Sequence, residues 1–306
     1  MRTALRALLG VAGWPVGHSR SPAMHNAALA ALGLDWLYVP VPLRAEAFGR
    51  TVRALPASGF RGLNVTVPHK EAAAALADER SAAVEAIGAA NTLTFADGGI
   101  AAANTDAGGF LDALGESPRG LRALVLGAGG SARAVAWALR EAGAAEVSVW
   151  NRTPQRAAAL AQSLDVRHVE RPEPADLIAN CTSVGLGGGI VTADAITALG
   201  LASTDPPGVL VDLVYGEAPS PLEGWVTDAG GRFVDGLEVL VHQGAGSLAG
   251  WSGQPAPVDV MRVAARGPHC APQQTARDAW GDLDEWTQVN GPRSFAALAN
   301  EEDEEG

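Results

Sequence analysis

The chain has 306 residues, 47% of them hydrophobic, and carries 34 acidic against 22 basic side chains for a formal net charge of −12. That length suits two domains of ordinary size, and the apolar fraction is that of a globular enzyme. The acidic balance, with no basic stripe, excludes a nucleic-acid partner. Cys181 and Cys270 are the two cysteines. They have neither CxxC spacing nor a ligating neighbourhood, so no disulfide framework, zinc or other metal site is expected. No apolar run is long enough to span a membrane. The opening segment is interrupted by Arg6 and followed by Pro15 and Gly17. It reads as a first strand rather than an export signal, which implies a cytoplasmic protein. From Arg266 onward nine acids stand against three bases. Residues 266–306 therefore read as an acidic extension, disordered at least at its end.

Taken in order, residues 7–14 predict a buried strand, and Pro22 suits the first turn of a helix running to about Leu32. A strand over 36–41, a helix over 45–55 and a strand over 62–67 follow. Pro68 is expected to open the next helix, which carries Lys70 and runs to Leu76. A strand begins in 89–93, and 100–104 can pair with it. The alternation implies a mostly parallel α/β sheet. A helix over 106–114 then crosses into a second domain.

That second domain starts with the most informative stretch. Ala123–Leu126 is a short apolar strand, Gly127-Ala128-Gly129-Gly130-Ser131 a glycine-rich turn, and an Ala-rich helix follows at once. Strand, turn and helix in this succession are the context of a dinucleotide-binding fingerprint. Gly127 can make the tight turn, Gly129 leaves room for a diphosphate, and Ala132 allows close helix–strand packing. The free N–H groups of the helix start would face the phosphates. Further strands are expected at 146–150, 176–180 and 209–213. A last helix over 236–251, with apolar residues at 237, 240, 241, 245 and 248, returns the chain to the first domain.

The end of the second nucleotide strand decides the cofactor. An NAD site places an acid about 20 residues beyond the first glycine. Here the strand ends in Asn151-Arg152-Thr153, with Arg156 one turn on and Thr153 placed to cap the helix. Guanidinium groups and a hydroxyl suit a 2′-phosphate, so the pattern favours NADP(H). Lys70 and Asp106 each follow a strand end. Strand ends of one sheet face one crevice, where a lysine and a carboxylate can act as an acid/base pair. Asn64, Thr66, Asn91 and Thr105, also at strand ends, suit a polyhydroxylated ligand. Ser19 and Ser21 suit a carboxylate. His69 reads as positional and Cys181 as a packed thiol.

Nine blocks, in order and at matching spacing, resemble the shikimate dehydrogenase family. They are GWPVGHSRSPAMHN (13–26), GLNVTVPHK (62–70), GAANT (88–92), NTDAGG (104–109), GAGGSARA (127–134), NRTPQRA (151–157), NCTSVG (180–185), DLVYG (212–216) and GLEVLVHQGAGSLAGWSG (236–253). The resemblance implies a three-layer α/β substrate domain (1–107 and 237–265) with a Rossmann domain (108–236) inserted, the C-terminal helices returning to the first. It implies NADP-dependent reversible reduction of 3-dehydroshikimate to shikimate, in aromatic amino acid biosynthesis, by a monomer or homodimer. By the same resemblance Ser19, Ser21 and Tyr215 hold the substrate carboxylate. Thr66, Asn91, Asp106 and Gln243 hold its hydroxyls, and Lys70 and Asp106 are catalytic. Gly127, Ala128, Gly129, Gly130, Ser131, Asn151, Arg152, Thr153, Arg156, Leu213 and Gly236 serve the cofactor. Val239 stands where the family carries methionine. The competing readings are an NAD-linked quinate/shikimate dehydrogenase and a non-catalytic NADP-binding sensor on the same fold.

Overall fold

The structure is a computed structural model that describes residues 7–96, 98–186, 188–216 and 218–267. Of the predicted acidic extension, everything beyond Gly267 lies outside the described residues.

The first part of the chain runs β1 (Ala7–Gly13), α1 (Ser21–Ala31), β2 (Trp36–Pro42), α2 (Ala45–Ala54), β3 (Phe60–Val65), α3 (Lys70–Leu76), β4 (Glu79–Arg80), α4 (Ala82–Ile87), β5 (Thr92–Ala96) and β6 (Gly99–Ala103). Its strands form a sheet of order β2-β1-β3-β5-β6-β4. β1 pairs in parallel with β2 and β3, whereas β5 is antiparallel to both β3 and β6. β4 is parallel to β6, so the sheet is mostly parallel as expected, with β5 the one strand that runs against the rest. The reason is local. β5 and β6 meet through a tight turn, with Ala96 opposite Gly99, and so short a connection joins only antiparallel strands.

Pro22 sits in the first turn of α1, as its fixed φ favours. Pro68 does not open α3. The His69 N–H donates to the Thr66 carbonyl at 2.9 Å, closing a turn over 66–69, and the helix begins at Lys70.

α5 (Asp106–Leu114) leads to the second sheet. The Asn104 side chain accepts from the N–H groups of Asp106 and Ala107, turning the chain from strand into helix. Next come β7 (Arg122–Leu126), α6 (Gly130–Glu141), β8 (Glu146–Trp150), α7 (Pro154–Leu164), β9 (Arg167–His168), β10 (Leu177–Asn180), α8 (Thr192–Ala198), β11 (Val209–Asp212), α9 (Glu223–Thr227) and β12 (Arg232–Val234). The sheet order is β12-β11-β10-β7-β8-β9, with every pairing parallel. Numbered from β7, this is the doubly wound 3-2-1-4-5-6 arrangement, whose ligand crevice opens where the order reverses, between β7 and β10. Leu124–Leu126 of β7 and Leu177–Ala179 of β10 are all buried, the near-continuous apolar run of a sheet covered on both faces.

α10 (Gly236–Ser252) and α11 (Val258–Arg266) return to the first sheet. Val241, Ala245, Leu248, Trp251 and Met261 pack with Leu9, Val11, Met24, Leu29 and Tyr38 in one core. Of the apolar residues expected to face inward on α10, Leu237 and Leu240 are only partly buried, and Val239 is buried in their stead. An alanine-rich cluster of Ile87, Ala89, Ala107, Ala134 and Ala138 joins α4, α5 and α6, and so ties the first sheet's side of the molecule to the second's.

α5 and α10 cross at Gly109. A Cβ there would lie 2.4 Å from the backbone nitrogen of Gln243. Backbone cannot swing aside as a flexible side chain can, so Gly109→Ala is expected to cost about 1–3 kcal/mol through overpacking. A lowered urea midpoint checks this; an unchanged midpoint contradicts the crossing.

Candidate active site

The polar side chains singled out by the sequence converge on a cavity of about 330 Å³. Its walls come from strand ends of both sheets. The loop after β1 supplies Ser19 and the start of α1 Ser21, β3 leads to Thr66, β10 leads to Cys181 and Thr182, and β11 leads to Leu213 and Tyr215. Gln243 and Val239 of α10, and Lys70, Asn91, Asp106 and Ser131, line it as well.

Lys70 is the first residue of α3 and Asp106 the first of α5. Their side chains meet at 2.6 Å, Nζ to Oδ2, each only 11% exposed. Lys70 also donates to Ser131 Oγ at 2.9 Å. The other carboxylate oxygen of Asp106 accepts from Asn91 Nδ2 at 2.9 Å, and Asn91 Nδ2 lies 3.0 Å from Gln243 Oε1. A low-dielectric pocket makes unpaired charge costly; here each charge has its counter-charge and further hydrogen-bond partners. One signal for Lys70 goes beyond motif and strand end. It is the single lysine in the chain, the other 21 basic residues being arginine. A guanidinium keeps its proton in proteins, whereas an amine can release it.

At another part of the wall, the Ser21 N–H donates to Ser19 Oγ at 3.2 Å. The Tyr215 phenol is pushed above its usual range by burial, an effect opposed by hydrogen bonding with Ser19 and the Arg20 backbone. Ser19, Ser21 and Tyr215 are thus gathered. Thr66 lines the cavity as expected. Asn64 lines the cavity as expected and Thr105 does not, and the side chains of both are held by other residues. Asn64 accepts from the Tyr38 hydroxyl at 2.8 Å and donates to Ser247 at 2.9 Å, and Thr105 is engaged with Asn91 and Ser247. Their hydrogen bonds brace the polar side of the site, a job the sequence conceals because their partners Tyr38 and Ser247 are far off along the chain. His69 is buried under α3, bonded to the Leu43 carbonyl and stacked on Phe48, a positional role.

The glycine turn fits a dinucleotide. Gly127 has φ +114°, and a Cβ on it would lie 3.0 Å from the Cys181 carbonyl, so the turn requires glycine. A Cβ on Gly129 would meet nothing within 4 Å, which leaves open space over the turn. Gly129 is the N-cap of α6 and makes no side-chain cap bond, so the helix start offers its N–H groups outward past Ala128. The Gly127 N–H donates to the Trp150 carbonyl, bringing the end of β8 beside the turn. There Asn151 bonds the Thr153 carbonyl, and Arg152 and Arg156 are exposed and in no ion pair with described residues. Thr153 occupies the N-cap of α7, but its side chain makes no cap bond. Gly236 backs onto the carbonyls of Leu213 and Val214, each 2.7 Å from where its Cβ would be.

Three family models match: shikimate dehydrogenase substrate binding domain over residues 11–93, shikimate / quinate 5-dehydrogenase over 113–213, and shikimate 5′-dehydrogenase C-terminal domain over 236–266. A shikimate dehydrogenase (NADP(+)) of Synechococcus sp. (strain JA-2-3B'a(2-13)) is 41% identical over 274 residues, 85% of this chain and 94% of that protein. The chain belongs to the shikimate dehydrogenase family. Among solved structures, a shikimate 5-dehydrogenase from Thermus thermophilus in complex with NADP(H) and shikimate superposes with a TM-score of 0.74 at 40% identity, over 85% of this chain and 98% of that one. A 5-ketofructose reductase of Gluconobacter sp. strain CHM43 gives 0.73 at 28% identity, over 85% and 98%. The fold of shikimate dehydrogenases thus hosts more than one activity, and the side chains in the cavity must carry the substrate assignment.

At this shikimate dehydrogenase site Cys181 is the packed thiol expected, set against the core around β7, while Asp212 had no role from sequence. Burial pushes the Cys181 thiol well up, so it is no nucleophile at neutral pH. Asp212, fully buried at the end of β11, is pushed up to about 6 by burial, against hydrogen bonds from Ser220, the Val214 N–H and Asn180. Those bonds tie down the segment that carries Leu213 and Tyr215. Because the folded chain binds this proton more tightly than the unfolded chain, the stability it lends is full below 3.8 and is lost as pH rises through about 6. Wild type is therefore expected to lose up to about 3 kcal/mol relative to Asp212→Asn across that window. Urea midpoints of both proteins on either side of pH 6 check this, and parallel curves would contradict it.

Among the described residues no group of three side chains that could hold a metal ion comes together, and no helix is long and apolar enough to cross a membrane.

Proposed function

We infer that this chain catalyses the reversible, NADP-dependent reduction of 3-dehydroshikimate to shikimate, a step of aromatic amino acid biosynthesis. The observation that carries the reading is the Lys70–Asp106 pair, formed by the chain's single lysine on a shared cavity wall with the glycine turn's Ser131. Its relatives bear the name shikimate dehydrogenase (NADP(+)), and a solved neighbour holds NADP(H) and shikimate.

In this reading, residues 1–107 and 237–265 form the substrate domain and 108–236 the NADP-binding domain. Ser19, Ser21 and Tyr215 bind the carboxylate of the substrate. Thr66, Asn91, Asp106 and Gln243 bind its hydroxyls, so an anionic polyol meets hydroxyl, amide and carboxylate groups along one wall. Gly127, Ala128, Gly129, Gly130 and Ser131 receive the diphosphate, while Asn151, Arg152, Thr153 and Arg156 receive the 2′-phosphate. Leu213 and Gly236 flank the nicotinamide. Bound NADPH supplies a hydride to the ring carbonyl carbon, and NADP+ takes it back in the reverse direction. Lys70 gives its proton to the carbonyl oxygen as that oxygen gains charge, and in reverse takes the proton from the hydroxyl. Asp106 keeps the ammonium oriented and offsets its charge. The protein works as a monomer or homodimer in the cytoplasm, with a small molecule as its partner and no nucleic acid. An arginine pair where an NAD enzyme carries an acid speaks against the NAD-linked quinate reading.

Lys70→Ala is expected to lower kcat about 10²–10⁴-fold with a modest change in KM, the loss of a general acid/base. Lys70→Arg keeps the charge and stays impaired. An NADPH-linked assay over a panel of cyclic hydroxy acids reads both. Near-normal turnover of Lys70→Ala would overturn the role. In the same assay Arg152→Asp is expected to raise KM for NADP+ at least about tenfold, the loss of a charged hydrogen bond to phosphate, while KM for NAD+ moves little. Equal losses with both cofactors would remove Arg152 from the 2′-phosphate site.

A further inference from the structure

Lys70 has three ammonium protons on a flexible four-carbon stem. One points to Asp106 Oδ2 at 2.6 Å and a second to Ser131 Oγ at 2.9 Å. No described residue accepts the third. With a single anchor the flexible stem could swing and carry the ammonium about that one bond, whereas two anchors hold Nζ in place and so fix the direction of the remaining N–H. The two anchors come from different parts of the molecule. Asp106 begins α5, which follows the first sheet, and Ser131 lies in the first turn of α6, in the diphosphate-binding turn of the second.

A separate observation shows that this approach is built in. A Cβ on Gly130 would lie 2.8 Å from Lys70 Cβ and 3.1 Å from its Cδ, so the start of α6 rests directly on the lysine stem. The glycine at 130 makes room for the lysine, as the one at 129 leaves space over the turn.

We propose that Ser131 is a positioning residue for proton transfer: its hydroxyl holds Lys70 from the cofactor side, so that the third N–H is aimed at the substrate oxygen only while the glycine turn is seated against α3. The same residue offers its backbone N–H at the helix start toward the phosphates and its side-chain oxygen to the lysine. Seating of the cofactor and aim of the proton donor are then linked through one residue. This rests on the shikimate dehydrogenase reading and assigns Ser131 a task beyond cofactor binding.

The test compares Ser131→Ala, Ser131→Thr and Lys70→Ala in the full chain, by steady-state kinetics and by NMR on protein labelled with 15N at the lysine side chain. With a single lysine, the spectrum holds one side-chain ammonium signal, whose exchange with water slows when both anchors hold it. Ser131→Ala is expected to lower kcat about tenfold, the loss of one hydrogen bond to a charged group, with little change in KM for shikimate. Its ammonium signal broadens through faster exchange. Ser131→Thr, which keeps the hydroxyl, recovers most of both. Ser131→Cys, close in volume but a weak acceptor, repeats the test if alanine unfolds the protein. A normal kcat with an unchanged ammonium signal overturns the proposal, as does a raised KM for NADP+ with kcat and signal intact, which would leave Ser131 to the cofactor alone. Equal loss in Ser131→Thr also overturns it. Lys70→Ala separates the two levels: if it is inactive while Ser131→Ala is normal, only the serine's task falls, and if it keeps turnover, the reading beneath falls with it.

Discussion

An ammonium and a carboxylate 2.6 Å apart, each almost out of water, impose conditions on everything around them. Removing either partner from such a pair leaves an uncompensated charge and costs about 3–5 kcal/mol. The pair also needs further hydrogen bonds to balance what it lost in leaving water. Asn91 meets that need on the carboxylate side and Ser131 on the amine side. Asn91 in turn is held by Thr105 and Gln243, and Thr105 by Ser247, which also bonds Asn64. A chain of polar contacts therefore runs along the cavity wall from Tyr38 to the glycine turn. Each member is satisfied by the next, which is the condition under which a buried polar network fixes one arrangement.

The geometry of the two sheets makes this network reachable. β3 and β5 deliver Thr66 and Asn91 from one sheet, and β7 delivers Ser131 from the other. The close crossing of α5 and α10 at Gly109 sets Asp106 beside Gln243. The alanine cluster of α4, α5 and α6 leaves helices little side-chain bulk to hold them apart. Small residues at these contacts are thus part of the site, although none of them touches its cavity.

Much of this could be read from the residues. Apolar runs bounded by glycine and proline located the long strands, and the strand–turn–helix succession at 121–140 located the nucleotide fold. The convergence of Lys70 with Asp106 followed from their places at strand ends. Three kinds of feature escaped. β4, β9, β12, α8 and α9 are two to seven residues long, too short to develop a period. The antiparallel placing of β5 depends on a tight turn that the apolar pattern does not distinguish from a longer connection. The role of Asn64 and Thr105 in bracing the site depends on Tyr38 and Ser247, whose nearness is a product of the fold. The Pro68 expectation failed because proline also suits a turn, and the chain bends at 66–69 before its helix starts. One further signal lay in composition: Lys70 is a lone lysine among 21 arginines, and of the two side chains only the amine can release its proton.

That rarity makes the chain unusual as a chemical object. An endoprotease that cuts after lysine has one peptide bond to attack, Lys70–Glu71, and it lies in the first turn of α3. In the folded protein the lysine side chain that such a protease must grip is held by Asp106 and Ser131, although Glu71 beside it is exposed, and scission there would part Ser19, Ser21, Asn64, Thr66 and Lys70 from Asn91, Asp106 and Ser131 along the chain. Nicking at this single bond would thus count the molecules in which the ion pair of Lys70 has come apart.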